Sequence, residues 1–140
     1  MEKILPDYYK HFKKYPRSLL ARVYGVYTVK MEGYQKVNLI IMGNTLRFQN
    51  RADVCRVYDI KGSTYNRFVE IKASTKPTTT LKDVNFLNNA HDFQEVNLSE
   101  RAVKMLNQQI KRDTEMLAAH GIMDYSILLG IENRFHVSDD

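Results

Sequence analysis

Apolar positions along the chain fall into a few clear patterns. Ile4, Leu5, Tyr8, Tyr9 and Phe12 recur at helical spacing with Lys10, Lys13 and Lys14 between them, and Pro16 stops the pattern, so a short amphipathic helix is predicted there. Between Arg22 and Met31 the run Val23-Tyr24-Gly25-Val26-Tyr27-Thr28-Val29 is β-branched and aromatic. A second such run, Val37 to Met42, follows across Glu32-Gly33, which together predict a β-hairpin. Gly43 to Asp53 breaks the pattern and reads as a hinge-like connector to the next strand, Cys55 to Ile60. Gly62-Ser63-Thr64 reads as a turn to a partner strand, Tyr65 to Lys72, and Ala73 to Thr80 as a mobile loop.

The longest regular element is expected to begin near Asn97, where Asn97-Leu98-Ser99-Glu100 fits a capping box. It continues with Val103, Leu106, Ile110 and Leu117 on one face and ends at Gly121 as a C-cap. Tyr125 to Ile131 is short and continuously apolar, as in a strand buried on both faces or a buried helical piece. No internal repeat interrupts this order. The fold class expected is α+β, an antiparallel sheet with flanking helices.

Composition narrows the classes. A 44% hydrophobic and 11% aromatic content is too high for disorder, and a single cysteine, Cys55, excludes an internal disulfide and a Cys-based zinc site. The longest apolar run, Ile127 to Ile131, is far short of the ~20 residues that span a bilayer, so a cytoplasmic-side protein is expected. Charge is uneven. Residues 1 to 82 carry 16 Lys and Arg against 6 Asp and Glu, whereas residues 83 to 140 carry 5 against 10. A basic half suits an anionic partner, be it nucleotide phosphate, lipid head group or nucleic acid, and equally suits a merely solvated surface.

Three segments place reactive side chains beside turns. In Tyr58-Asp59-Ile60-Lys61-Gly62-Ser63-Thr64, alternation puts Asp59 and Lys61 on one strand face, and Gly62 lets backbone N–H groups approach an anion. That pairing suits a metal-phosphate unit, or else a cross-strand ion pair on a solvated face; it is not a P-loop. In Gly121-Ile122-Met123-Asp124-Tyr125-Ser126, Asp124 stands between a helix end and an apolar strand, either as a carboxylate able to accept a hydroxyl proton or as a turn cap. In Ile40-Ile41-Met42-Gly43-Asn44, a strand end frees backbone groups for an adenine ring, or is an ordinary terminus. Arg112-Asp113 reads as a surface pair on a helix, and His11, His91, His120 and His136 show no ligand spacing.

Taken together and in this order, these segments resemble the phosphatidylinositol phosphate kinase family, of the phosphatidylinositol-4-phosphate 5-kinase type. The resemblance rests on Tyr58 to Thr64, on Thr80-Leu81-Lys82-Asp83-Val84-Asn85-Phe86-Leu87 and above all on Ile122-Met123-Asp124-Tyr125-Ser126-Ile127-Leu128-Leu129-Gly130-Ile131, and it covers residues 8 to 133. His11-Phe12, Ser18-Leu19-Leu20 with Gly25-Val26-Tyr27, and Ile41-Met42 with Asn44 support it.

That resemblance implies a two-lobed, protein-kinase-like fold that uses ATP and Mg²⁺ to phosphorylate an inositol hydroxyl of a membrane phosphoinositide. Asp124 would orient or deprotonate that hydroxyl, Lys61 would stabilise charge at the nucleotide phosphates, and Asp59 would order the metal and phosphate. Met42, Gly43 and Asn44 would meet adenine. Lys10, Lys13, Lys14, Arg17, Arg67, Lys72 and Lys76 are expected to include the lipid-facing cations of a protein peripheral to an anionic membrane. A homodimer or larger assembly is implied, and no nucleic acid.

The family's Gly-rich phosphate loop, its ATP-lysine strand and its second metal-binding aspartate with the activation segment have no counterpart in residues 1 to 140. The expectation is therefore a partial catalytic core that is inactive alone, with a non-catalytic structural or scaffold subunit, a pseudokinase, as the alternative.

Overall fold

The computed structural model describes residues 4–49, 51–89 and 98–132. Asn50, Asn97, His91, His136 and the Ser138-Asp139-Asp140 end lie outside them. In chain order the elements are α1 (Leu5–Lys14), β1 (Val23–Val29), β2 (Val37–Met42), a 3₁₀ turn (Arg51–Asp53), β3 (Val54–Ile60), β4 (Thr80–Leu81), α2 (Asp83–Asn88), α3 (Glu100–Ala119) and β5 (Ile127–Glu132). They divide into two compact units, Met1–Thr45 with Lys104–Gly121, and Leu46–Val103 with Ile122–Asp140. The class is mixed α/β with antiparallel pairing in both sheets. Among the described residues no helix is long and apolar enough to cross a membrane.

In the first unit, α1 starts with a proline in its first turn and carries Asp7 there, with Lys13 and Lys14 in its last, so the charges complement the helix dipole. Tyr15 leaves the helical region because Pro16 follows it. β1 and β2 form the expected antiparallel hairpin, Val29 opposite Val37, with a bulge between Val23 and Gly25. All six residues of β2 are exposed.

Helix α3, which belongs to this unit from Lys104 onward, corrects the sequence reading. Val103 and Leu106 are exposed, and the buried positions of α3 are Gln109, Asp113 and Leu117, an i, i+4, i+8 stripe that is two-thirds polar. Asp113, expected on the surface beside Arg112, is buried because it is saturated with donors. Ser18 Oγ donates to its Oδ1 at 2.8 Å, Gln109 Nε2 to the same oxygen at 2.8 Å, and the Leu19 amide to Oδ2 at 2.8 Å, while His11 Nε2 lies 2.6 Å from Oδ1. One carboxylate thus ties α1, the 18–19 loop and α3 together. Arg112 instead lays its guanidinium over the Tyr15 ring, 4.8 Å from the centroid.

At the start of α3 the cap is Ser99, whose Oγ accepts the Ala102 amide at 3.3 Å. At its end Gly121 adopts φ +64°, the left-handed value a helix C-terminus favours.

In the second unit β3 is the central strand of the order β4-β3-β5, parallel to β4 and antiparallel to β5. Val54, Val57 and Tyr58 of β3 are buried with Leu81 of β4. β5 pairs only with β3 among the described residues and exposes Ile127 and Leu128, so β3 rather than the 125–131 run is the buried strand. The strand expected over 65–72 does not form. Its middle is instead bonded to α2: the Asn85 side chain accepts the Val69 amide at 2.9 Å and donates to the Val69 carbonyl at 2.8 Å, and the Val84 amide donates to the Arg67 carbonyl at 3.0 Å.

Replacing Asp113 by alanine leaves several buried donors unpartnered and is expected to cost about 3 kcal/mol of stability. Arg112→Ala, which removes one cation–π contact, should cost under about 1 kcal/mol. Urea denaturation of both variants checks this ordering, and equal small losses would contradict it.

Candidate active site

Pairing of β3 with β5 builds the site. Asp59 stands opposite Leu128 and Ile60 opposite Ile127, so the segments continuing from these positions, Lys61-Gly62-Ser63 and Asp124-Tyr125-Ser126, meet at one end of the sheet. Two of the three segments singled out by sequence are thereby brought together. Lys61 Nζ is hydrogen-bonded to Asp124 Oδ1 in an ion pair. Asp59 and Lys61 do not pair with one another. Asp59 Oδ2 accepts Arg67 Nη2 at 3.1 Å, and Arg67 Nη2 also donates to the Asp59 carbonyl. The Ser126 hydroxyl, foremost, lowers the Asp59 pKa; partial burial opposes it, and Arg67 and then Lys61 add to the lowering, which keeps this carboxylate ionised.

Asp124 is held differently. Its side chain is 82% exposed and its backbone takes φ +62°, a left-handed conformation that aspartate tolerates better than most residues but still at a cost on the order of 1 kcal/mol. The Asp124 carboxylate is thus exposed beside the Lys61 ammonium on a left-handed backbone turn.

Backbone N–H groups beside Gly62 do approach an anion, and that anion is internal. Asp83 Oδ1 accepts the amides of Lys61 at 3.0 Å, Gly62 at 2.7 Å and Ser63 at 3.3 Å, while Oδ2 accepts Arg67 Nε at 2.8 Å. Gly62 makes the concavity by adopting φ +76°. Burial raises the Asp83 pKa, but the Arg67 guanidinium and the backbone amides of Gly62 and Ser63 outweigh it and bring the group down to about 2.

Asp83 and Ser126 carried no role in the sequence reading. The signal available for Asp83 was its place as the first residue of a short helix, two positions after a short strand and 22 residues from Lys61 in the turn it serves.

Arg67 is a correction: expected among the lipid-facing cations, its side chain is 11% exposed and committed to Asp59 and Asp83. The other six, Lys10, Lys13, Lys14, Arg17, Lys72 and Lys76, are exposed. Lys10 bonds Asp7 at 3.2 Å, Lys72 lies 3.5 Å from Glu70, and Lys13 and Lys14 sit over the rings of Tyr9 and Tyr15. Met42, Gly43 and Asn44 lie at the end of β2 in the first unit, where the Gly43 amide, expected to be a free donor, is taken by the Arg22 carbonyl at 2.7 Å.

Among the described residues no group of three or more His, Cys, Asp or Glu converges as a metal cage. Mg²⁺ bound alongside a nucleotide needs only one or two carboxylates, the phosphates supplying the rest, and the ionised Asp59 fits that role.

The proteins this chain resembles are named as kinases of phosphatidylinositol 4-phosphate. The chain belongs to the family described as Phosphatidylinositol-4-phosphate 5-Kinase, whose profile matches residues 1–140. It is 42% identical over 139 residues to phosphatidylinositol 4-phosphate 5-kinase 1 of Arabidopsis thaliana, covering 99% of this chain and 17% of that protein. To the type-1 beta enzyme of Mus musculus it is 35% identical over 140 residues, covering 100% of this chain and 25% of that protein. To the type-1 alpha enzyme of Homo sapiens it is 36% identical over 138 residues, covering 97% and 23% respectively. The chain thus spans a quarter or less of the length of these relatives.

Because the Asp83 pKa is depressed from 3.8 to about 2, its contribution to stability is complete above about pH 4 and is lost as pH falls through about 2. Thermal melts of the wild-type chain and Asp83→Asn should therefore differ at pH 6 and converge toward pH 2. A gap that persists undiminished at pH 2 would contradict the assignment.

Proposed function

We propose that this chain supplies the phosphate end of a phosphoinositide kinase site, acting in phosphoryl transfer from ATP to the inositol 5-hydroxyl of phosphatidylinositol 4-phosphate. The observation that carries the reading is the convergence of Lys61, Asp124 and Asp59 at the β3–β5 end of one sheet. Family membership and the names of the relatives support the choice of lipid and of nucleotide.

In this role Asp124 accepts the proton of the attacking hydroxyl, a task suited to an exposed carboxylate. Lys61, already beside Asp124, neutralises charge on the transferring phosphoryl group. Asp59 holds Mg²⁺, which when bound neutralises charge on the phosphates. Met42, Gly43 and Asn44 contact adenine, a role resting on the resemblance alone. The fold of the complete enzyme is then two-lobed, and residues 1–140 are part of its core that binds nucleotide without turning it over alone.

The six exposed cations, Lys10, Lys13, Lys14, Arg17, Lys72 and Lys76, face the anionic leaflet, each contributing about 1 kcal/mol, so the protein acts peripherally at a cytoplasmic membrane surface.

A second reading is favoured by one observation. β1 and β2 expose Val26, Val29, Leu39, Ile40 and Ile41, apolar surface that suits a homodimer or larger assembly, with the chain as a non-catalytic scaffold.

Calorimetric titration of Mg·ATP into the chain separates the two. Binding that weakens about tenfold or more in Lys61→Ala and is unchanged in Lys36→Ala is expected; no binding at all supports the scaffold. In a radiolabel assay on phosphatidylinositol 4-phosphate vesicles the chain alone should show no transfer, and turnover abolished by Asp124→Asn would overturn that part of the proposal.

For the membrane role, flotation with vesicles should show binding to anionic and not to neutral lipid, weakened about fivefold by each of Lys13→Ala and Lys76→Ala. Equal binding to both vesicle types would contradict it.

A further inference from the structure

Asp83 belongs to none of the roles above, yet both of its oxygens act on the groups that have them. Oδ1 collects three successive amides, Lys61, Gly62 and Ser63, and Oδ2 holds Arg67 Nε, whose other arm reaches the Asp59 side chain. Three inward-turned amides form the concavity that elsewhere receives a phosphate. Here a carboxylate from the same chain fills it, itself only 5% exposed.

We propose that Asp83 is a positioning residue of the phosphate end: seated in the amide nest as an internal anion, it fixes the loop from which Lys61 reaches Asp124 and, through Arg67, fixes the carboxylate of Asp59. This rests on the nucleotide role proposed for Lys61 and Asp59. An incoming phosphate then meets the Lys61 ammonium rather than the amides of Gly62 and Ser63, so the nest sets geometry and takes no ligand.

Local detail agrees. Gly62 needs its φ of +76° to turn the amides inward, and a Cβ built there meets nothing within 4 Å, so the glycine serves backbone conformation and not clearance. Charges alternate along the row Asp83, Arg67, Asp59, so losing the charge of Asp83 leaves Arg67 with Asp59 alone and shifts that carboxylate. Asparagine at 83 keeps the shape but offers one neutral carbonyl oxygen for both tasks: with that oxygen toward the guanidinium its NH₂ group faces the three amides, and with it toward the amides the NH₂ group faces the guanidinium and the acceptor charge is gone.

The test is solution NMR on the 140-residue chain with a parallel Mg·ATP titration. In the wild type the amides of Gly62 and Ser63 should be protected from hydrogen exchange, and a cross-peak should link the Lys61 ε-methylene to the Asp124 β-methylene. Asp83→Asn should lose the protection at least tenfold, lose the cross-peak and bind Mg·ATP about tenfold more weakly. Lys36→Ala should change none of these. A folded Asp83→Asn chain that keeps the Lys61–Asp124 cross-peak overturns the proposal.

If Asp83→Asn does not fold, Arg67→Lys decides in its place, through the Asp59 carboxylate chemical shift, which should move; an unmoved shift overturns the proposal. Absence of Mg·ATP binding by a wild-type chain that shows both the protection and the cross-peak removes the nucleotide reading on which the role depends, and so overturns the role while leaving the nest itself in evidence.

Discussion

A single carboxylate, that of Asp83, organises the second unit. It accepts three backbone amides and a guanidinium, four residues between 61 and 67 gathered on one side chain 16 to 22 positions downstream. A buried charge is tolerated only when its lone pairs are met, and here they are met from the backbone as well as from Arg67. The consequence reaches the sheet. With 61–69 held by Asp83 and Asn85 of α2, that segment is unavailable as a strand, and β3 takes β4 and β5 as its neighbours instead. Because β5 pairs there, Asp124 arrives beside Lys61.

The first unit uses the same device independently. Asp113 on α3 gathers His11 of α1, Ser18, the Leu19 amide and Gln109. Each unit has a small apolar core, with Val54, Val57, Tyr58 and Leu81 buried in one and Ile4 and Leu117 in the other among the described residues. A saturated carboxylate specifies one arrangement of its donors, because any other leaves a buried charge without partners. Directional bonds thus define what limited apolar packing leaves loosely specified.

Periodicity made α1, the β1–β2 hairpin, β3 and the body of α3 legible, since each satisfies its backbone within itself or with a sequence neighbour. It failed where a distant side chain did that work. Residues 65–72 have the composition of a strand, but the backbone groups of Arg67 and Val69 bond to α2. The buried face of α3 carries Gln109 and Asp113, which no count of apolar positions selects. Arg67 reads as a surface cation until its two carboxylates are placed. Asp59, Lys61 and Asp124 stood out as chemistry from local sequence, whereas their convergence depends on the register of β3 with β5, which the sequence pattern does not set.

In the role proposed, Lys61 is the phosphate-facing group and the amide nest a sealed structural element. A crystal structure of the chain with Mg²⁺ and a non-hydrolysable ATP analogue tests that most directly. Lys61 Nζ should lie within hydrogen-bonding distance of a phosphate oxygen while Asp83 keeps the amides of Lys61, Gly62 and Ser63. A phosphate seated on those amides with Asp83 displaced would contradict it.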